Sequence, residues 1–319
     1  MLSRRDWIRI SAGAGAALSL HPRLLAALQT RPLITRAIPS TGEQLAVVGL
    51  GGANTFSETA SREDFEAIGG VLRSLVDGGA TVFDTAAGYG ASEEVSGRVA
   101  QEAGIADRIF WATKMNVAGG RGGGGGRADV AAGRAQVERS FQRLRVPVID
   151  VMQVHNMGDP PTQLGVVREF KAAGRIRYIG ITTTSENQYT QLADVMRNEP
   201  IDFIGIDYAV DNRVAEEVIF PLALERRIGV LVYLPFGRSR MWARIGDRPL
   251  PEWAAEFDAT TWAQFMLKFV IAHPAVTVAT PGTSDPEHMV DNLMGGRGRL
   301  PTPDHLERMV RLVESLPNA

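Results

Sequence analysis

The feature that most constrains this chain is an alternation of two periods. Eight short apolar runs, at residues 45–50, 81–84, 109–113, 149–154, 176–181, 203–207, 229–234 and 276–279, are separated by stretches whose apolar residues recur at helical spacing. The runs are rich in Val, Ile and Phe and mostly lack polar alternation, as strands buried on both faces must. Between them, residues 61–78 carry Phe65, Ile68, Leu72, Leu75 and Val76 on one helical stripe. Ser61 is its expected N-cap, with Asp64 three residues on, and Gly78-Gly79 close it. Val130, Val137, Phe141 and Leu144 form a second stripe; Leu164, Val167 and Phe170 form a third, stopped by Gly174. Trp262, Phe265, Met266, Phe269 and Val270 form another, ended before Pro274.

Strands alternating with helices in this number leave a closed barrel or an open doubly wound sheet. The first run ends in Gly49-Leu50-Gly51-Gly52, which does not complete a dinucleotide-binding glycine pattern, and no composition break marks a second domain. The expected fold is therefore α/β, a single-domain (β/α)8 barrel over residues 39–319, a length such barrels commonly use. A formal charge of -2, with arginines interleaved among acids, excludes nucleic acid as a partner. The absence of cysteine removes disulfides, thiolate nucleophiles and Cys-ligated zinc, and suits an oxidising compartment.

Residues 1–38 are expected to be an export signal and linker. Ser3-Arg4-Arg5-Asp6-Trp7-Ile8-Arg9 precedes a small apolar run at residues 10–20, the pattern of a twin-arginine signal. The run is shorter than the roughly 20 apolar residues a spanning helix needs, so no stable membrane anchor is expected. The twin-arginine export machinery is then a partner, and the location is periplasmic or secreted. The plainer alternative is a basic terminus leading into an Ala/Gly-rich helix, and no clean cleavage site stands before Pro39. Two further segments fall outside the repeat. The glycine run at 119–126, with Arg121, lacks the ending of a phosphate loop and reads as a solvent loop. The connection at 236–257 is long enough for a lid, a binding loop or a surface insertion.

In a barrel of this kind chemistry is done where strands end and the following loops begin. The second run ends at Asp84 and its loop carries Tyr89; the third ends at Lys114; the fourth ends at His155. Lys114 is one of only three lysines, with Lys171 and Lys268, among 34 basic side chains. A lysine is a compact point charge that responds to burial as arginine does not, and Asp84 on the neighbouring strand supplies a counter-ion. A phenol is a poor proton donor at neutral pH, with an unperturbed pKa of about 10. An adjacent ammonium favours the phenolate and brings the donor into working range. His155 would orient a substrate carbonyl. Each residue also has a bland reading: an Asp–Lys structural pair, a loop-capping tyrosine and a satisfied rim histidine.

The residues Phe83-Asp84-Thr85-Ala86-Ala87-Gly88-Tyr89-Gly90, Ala112-Thr113-Lys114 and Asp150-Val151-Met152-Gln153-Val154-His155-Asn156 together resemble the aldo-keto reductase family. Gly174-Arg175-Ile176-Arg177-Tyr178-Ile179-Gly180 and Thr280-Pro281-Gly282-Thr283-Ser284 are similar to later family segments. The resemblance implies that Tyr89 is the general acid, Asp84 and Lys114 its tuning pair, and His155 the orienting group. It implies NADP(H), or alternatively NAD(H), as cofactor, an aldehyde, ketone or sugar-like carbonyl and its alcohol as substrates, and no metal. By the same resemblance Tyr233 stacks on nicotinamide, Leu234, Pro235, Phe236 and Gly237 contact phosphate, and Thr182 and Thr183 stand where the family often has Ser-Asn. Gly282, Thr283, Ser284, His288 and Asn292 would hold the adenosine phosphate, with Asp291 where the family often has Glu. Thr283 and Ser284 also precede a helix expected to begin near Pro286, a natural anion site.

Gly205 stands where the family often has a carboxamide-holding Gln, and Asp285 puts an acid near the expected phosphate, with Arg238 and Arg240 as candidate compensators. These departures keep a different class of function open, a nicotinamide-binding sensor or partner-binding barrel without sustained turnover. Isomerisation with the same acid–base pair is a third reading. An exported enzyme would carry its cofactor out already loaded, and would then need it recycled in place.

Overall fold

The computed structural model describes residues 31–119 and 126–317. The arginine pair and apolar run expected as an export signal lie outside the described residues, as does 120–125 of the glycine loop. The chain opens with an antiparallel hairpin of β1 (Thr35–Ala37) and β2 (Gln44–Ala46), in which Arg36 pairs with Leu45. An eight-stranded parallel sheet follows in strict sequence order. Its strands are β3 (Leu50–Gly51), β4 (Val82–Asp84), β5 (Phe110–Met115), β6 (Ile149–Val154), β7 (Ile176–Thr183), β8 (Phe203–Asp207), β9 (Gly229–Tyr233) and β10 (Val278–Ala279). Parallel bridges from Val48 to Ala279 and from Gly51 to Gly282 join the last strand to the first and close the barrel. The expected (β/α)8 architecture is what forms.

Alternation along the strands sorts the side chains. Val82, Phe110, Ala112, Val151, Tyr178, Phe203, Leu231 and Val278 make one buried cluster inside the barrel, and Ile38 and Leu45 of the hairpin join it. The hairpin is thus a plug. The run expected as one strand at 45–50 is two pieces: Leu45 is apolar because it caps the interior, and the barrel strand starts only at Leu50. Strand propensity alone cannot separate these uses of an apolar run. The hairpin also begins before residue 39, so the folded unit takes in part of the segment expected as linker.

The helical stripes form the outer ring. The stripe at 61–78 is broken, because a short helix Thr55–Ser61 ends there and a second, Phe65–Asp77, starts afresh. Asp64, not Ser61, caps the second helix by accepting from the Ala67 amide at 3.1 Å. Glu63, at φ 56°, makes the break. In helix Val130–Leu144, Val137, Phe141 and Leu144 are buried while Val130, in the first turn, is exposed. Helix Pro160–Ala172 buries Leu164, Val167 and Phe170 and is followed by Gly174 at φ 72°. Thr261 caps helix Trp262–Ala272 by accepting from Gln264. The long connection at 236–257 is structured, holding helix Arg240–Ile245 and a 3-10 turn, Glu252–Phe257. Among the described residues no helix is long and apolar enough to cross a membrane.

Candidate active site

The same alternation that fills the barrel with Val82, Phe110, Ala112, Val151 and Leu231 puts, one step further toward the strand ends, Asp84, Lys114, Gln153 and Tyr233 on the inward side. Lys114 and Gln153 are partners in the β5–β6 register. Tyr89 enters from the loop after β4, and His155 opens the 3-10 turn His155–Met157 directly after β6. The four rim residues expected from the sequence therefore converge.

Lys114 is buried, with 1% of its surface exposed, and its ammonium pairs with Asp84 Oδ2 and donates to the Thr85 carbonyl at 2.8 Å. Burial alone would drag that ammonium down. The Asp84 carboxylate and the Tyr89 oxygen together outweigh burial, and the group sits above the ordinary lysine value. Lys114 Nζ lies 5.0 Å from the Tyr89 ring centre and 4.8 Å from that of Tyr233, between two aromatic faces that favour a cation. Tyr89 Oη stands 3.4 Å from His155 Nε2, with the two rings edge-to-face. A small acceptor at that spot meets a phenol and an imidazole together, with a fixed positive charge behind the phenol. Such a site can give a proton to an oxygen and hold the charge that remains.

Gln153 was missed by the sequence reading. Its Nε2 donates to Asp84 Oδ1 at 3.1 Å and to Tyr233 Oη at 3.0 Å. The signal was there: a Gln at an inward position of an otherwise apolar run, fully buried in the structure. Tyr233 was anticipated as a flat stacking surface, yet its hydroxyl donates into the same network, to Asp84 Oδ1 at 3.2 Å.

The remaining expected cofactor residues divide into two groups. Leu234, Pro235, Phe236 and Gly237 form the loop leaving β9, with Leu234 at φ 55° and Gly237 at φ 56°. Arg238 reaches across to Asp207 at 2.8 Å and to the Thr184 carbonyl, and Arg240 to Asp211 at 3.2 Å. Both guanidiniums flank that loop, each held by a carboxylate. Asp211 keeps one buried oxygen without a partner beneath Gly237. After the neighbouring strand β10, Gly282 bridges to Gly51, and Thr283 and Ser284 lead into helix Pro286–Gly295. Two hydroxyls, one after β10 and one at the end of β7, face their own turns. Thr283 Oγ1 accepts from the Asp285 amide at 3.0 Å, and Thr183 Oγ1 accepts from the Ser185 amide at 3.0 Å while donating to Gln188. Thr182 is buried and accepts from the Asn156 amide at 3.2 Å. Asp285 caps the helix through the Glu287 amide at 2.8 Å, with the exposed His288 imidazole 3.9 Å away. Asn292 is buried in that helix, and Asp291 is tied to Thr261 and Gln264.

A sequence profile described as the aldo/keto reductase family matches residues 47–305. Over 207 residues, 62% of this chain, the sequence is 31% identical to aldo-keto reductase YhdN of Bacillus subtilis (strain 168). That alignment spans 60% of the relative's length. An aldo-keto reductase from Klebsiella pneumoniae, solved in complex with NADPH, superposes with a TM-score of 0.71 at 23% identity, covering 88% of this chain and 96% of that one. Glycerol dehydrogenase AKR11B4 from Gluconobacter oxydans superposes with a TM-score of 0.68 at 22% identity, covering 88% of this chain and 94% of that one. At such identity the structural likenesses speak for the fold.

Proposed function

This chain belongs to the aldo/keto reductase family, and from that premise we propose that it interconverts an aldehyde or ketone, including sugar-like carbonyls, with its alcohol, using NADP(H). The observation that carries this reading is the rim itself, with Asp84, Lys114, Tyr89 and His155 gathered from three successive strand ends around one opening.

The residues present fit a nicotinamide dinucleotide. At the rim, Tyr233 stands beside Lys114 at the mouth. At the phosphate end, the loop Leu234, Pro235, Phe236 and Gly237 runs into Arg238 and Arg240, cations that a pyrophosphate would engage. At the adenosine end, Gly282, Thr283 and Ser284 lead into helix Pro286–Gly295, which carries His288 and Asn292, with Asp285 as the unfavourable charge at its N-terminus. When bound, the nicotinamide supplies or accepts the hydride.

The chain's own residues manage the proton. In reduction the Tyr89 hydroxyl gives its proton to the carbonyl oxygen. The negative charge left on the phenol oxygen is opposed by the Lys114 ammonium, which Asp84 holds in place. His155, carrying its proton on Nε2, donates to the same carbonyl oxygen and fixes its position. The reverse reaction runs the proton back to Tyr89.

A fluorescence titration of the purified chain with NADPH and, separately, NADH tests the cofactor half. Saturable NADPH binding, weakened by Asp285 but tighter than NADH, is expected; binding of neither would return the rim to a structural role. Turnover that stops when NADPH is omitted separates this reading from isomerisation and from a sensor. Export by the twin-arginine route belongs to the same proposal and rests on Arg4, Arg5 and the run at 10–20. An Arg4→Lys/Arg5→Lys chain should be retained inside cells that export the parent, and unaltered export would remove it.

A further inference from the structure

Tyr233 ends β9, where it pairs in register with Asp207, two residues beyond Gly205 along β8. Its ring does not stand over its own strand. It leans across to β8, and a Cβ built on Gly205 would lie 2.6 Å from Tyr233 Cζ and closer still to the hydroxyl. No side chain can occupy position 205 while Tyr233 holds this place. From there the hydroxyl reaches Asp84 Oδ1 at 3.2 Å and lies 3.0 Å from Gln153 Nε2.

The donor count makes the arrangement selective. Asp84 Oδ2 is committed to Lys114, and Oδ1 faces the amide of Gln153 and the phenol of Tyr233. Gln153 has two N–H donors, one for Asp84 and one for the Tyr233 oxygen, so Tyr233 accepts from Gln153 and has one proton of its own to give. Tyr233 Oη also lies 3.3 Å from Gln153 Oε1, so its one proton faces two acceptors, of which the charged carboxylate is the stronger. Burial and the facing Asp84 carboxylate keep Tyr233 protonated far past neutrality, so it acts as a donor.

We propose that Gly205 and Tyr233 form a positioning pair: the bare backbone at 205 admits the Tyr233 ring to the barrel mouth, where its hydroxyl holds the Asp84 carboxylate on the side away from Lys114. As a catalytic device the pair rests on the reading of Tyr89 as proton donor. By drawing negative charge onto Oδ1, Tyr233 leaves more of the Lys114 field for the Tyr89 oxygen. The groups facing Lys114 are Asp84 from β4, Gln153 from β6, Tyr233 from β9 and Tyr89 from its loop, with His155 behind Tyr89.

The test uses the whole chain with 13C-labelled lysine, of which there are only three. Gly205→Ala should shift the Lys114 side-chain resonance, because the displaced Tyr233 ring no longer shields it, whereas Tyr233→Phe keeps the ring and should leave that resonance near the parent's. In steady-state reduction Tyr233→Phe should lower kcat about tenfold and leave NADPH binding within about twofold, the size expected for losing one hydrogen bond to a charged group. It should also move the alkaline limb of kcat to higher pH, since an unrelieved Asp84 charge disfavours the phenolate. The doubly substituted chain should be no worse than the worse single one, because both changes break one contact. An unmoved Lys114 resonance in Gly205→Ala, a parent-like pH profile in Tyr233→Phe, or fully additive losses would each overturn the pair. A parent without NADPH-dependent turnover would sink the functional reading instead, and the resonance would then decide the pair alone. Should Gly205→Ala not fold, Tyr233→Phe, which removes one oxygen, carries the decision.

Discussion

Lys114 stands at the barrel mouth against a carboxylate, whereas Lys268, in helix Trp262–Ala272 of the outer ring, reaches only backbone carbonyls, Arg297 at 2.5 Å and Arg299 at 2.9 Å. Both are buried. Their protons nevertheless respond in opposite directions. Burial pushes Lys268 down to about 8, with Asp258 too weak an opponent, while Asp84 and the Tyr89 oxygen together lift Lys114 above its ordinary value in spite of burial. Burial therefore does not make a lysine catalytic or structural. What decides is whether a carboxylate shares the pocket and whether the ammonium then faces something reactive. Lys268 ties a chain turn to a helix; Lys114 faces two phenols.

The largest expected effect breaks the first half of that comparison. Lys114→Met should cost about 3–5 kcal/mol of stability, because it strands a buried Asp84 charge, and should remove reduction along with it. Adding Asp84→Asn should recover most of the stability but none of the activity, as read by denaturant unfolding beside turnover; equal loss in both chains would mean the pair is not coupled.

The second half is sharpened by pH. Lys268 is depressed from 10.5 to about 8, so between those values the unfolded chain holds a proton that the folded chain has lost, and stability rises with pH. That rise should be on the order of 3 kcal/mol across the window. Lys114, being raised, contributes stability that is complete below 10.5 and fades only at higher pH. Unfolding curves for Lys268→Met should lack the rise from pH 8 to 10.5, and a rise of the parent's size in that variant would assign it elsewhere. A smaller change refines the same point. Asp258→Asn removes the carboxylate that partly supports Lys268, and should lower its titration midpoint by roughly half a pH unit or less, as expected for a weak pairing; an upward move would contradict it.

The two regions also differ in how much of them could be read beforehand. Asp84, Lys114 and His155 were legible because each sits where an apolar run ends, with Tyr89 in the loop that follows one, and a polar residue there has few purposes. The helical stripes of Leu164, Val167 and Phe170, or Phe265, Met266 and Phe269, were legible because one buried face repeats over several turns. The hairpin plug was not. Three-residue strands carry too little pattern, and Leu45 is as apolar in a plug as it would be in a strand. Asp64 displaced Ser61 as a cap because Glu63 takes a left-handed backbone conformation that a stripe of apolar residues cannot announce. Contacts between strands distant in sequence were the least legible. Tyr233 meets Asp84 across 149 positions, and nothing near either residue records that the glycine at 205 makes room for it. Thr183 and Thr283 illustrate the converse, hydroxyls well placed for a ligand in sequence order but spent on their own turns.

The most direct test of the central claim is to follow NADPH consumption over a panel of aldehydes and ketones for the parent and Tyr89→Phe together, with NADPH affinity measured on the same samples. The account predicts that the parent consumes NADPH with at least one carbonyl, and that the variant binds NADPH almost as tightly while losing about 100-fold or more of the rate, the contribution expected of a positioned proton donor. A variant that reduces the same carbonyl at the parent's rate would contradict it, since the rim would then be working without the phenol around which its charges are arranged.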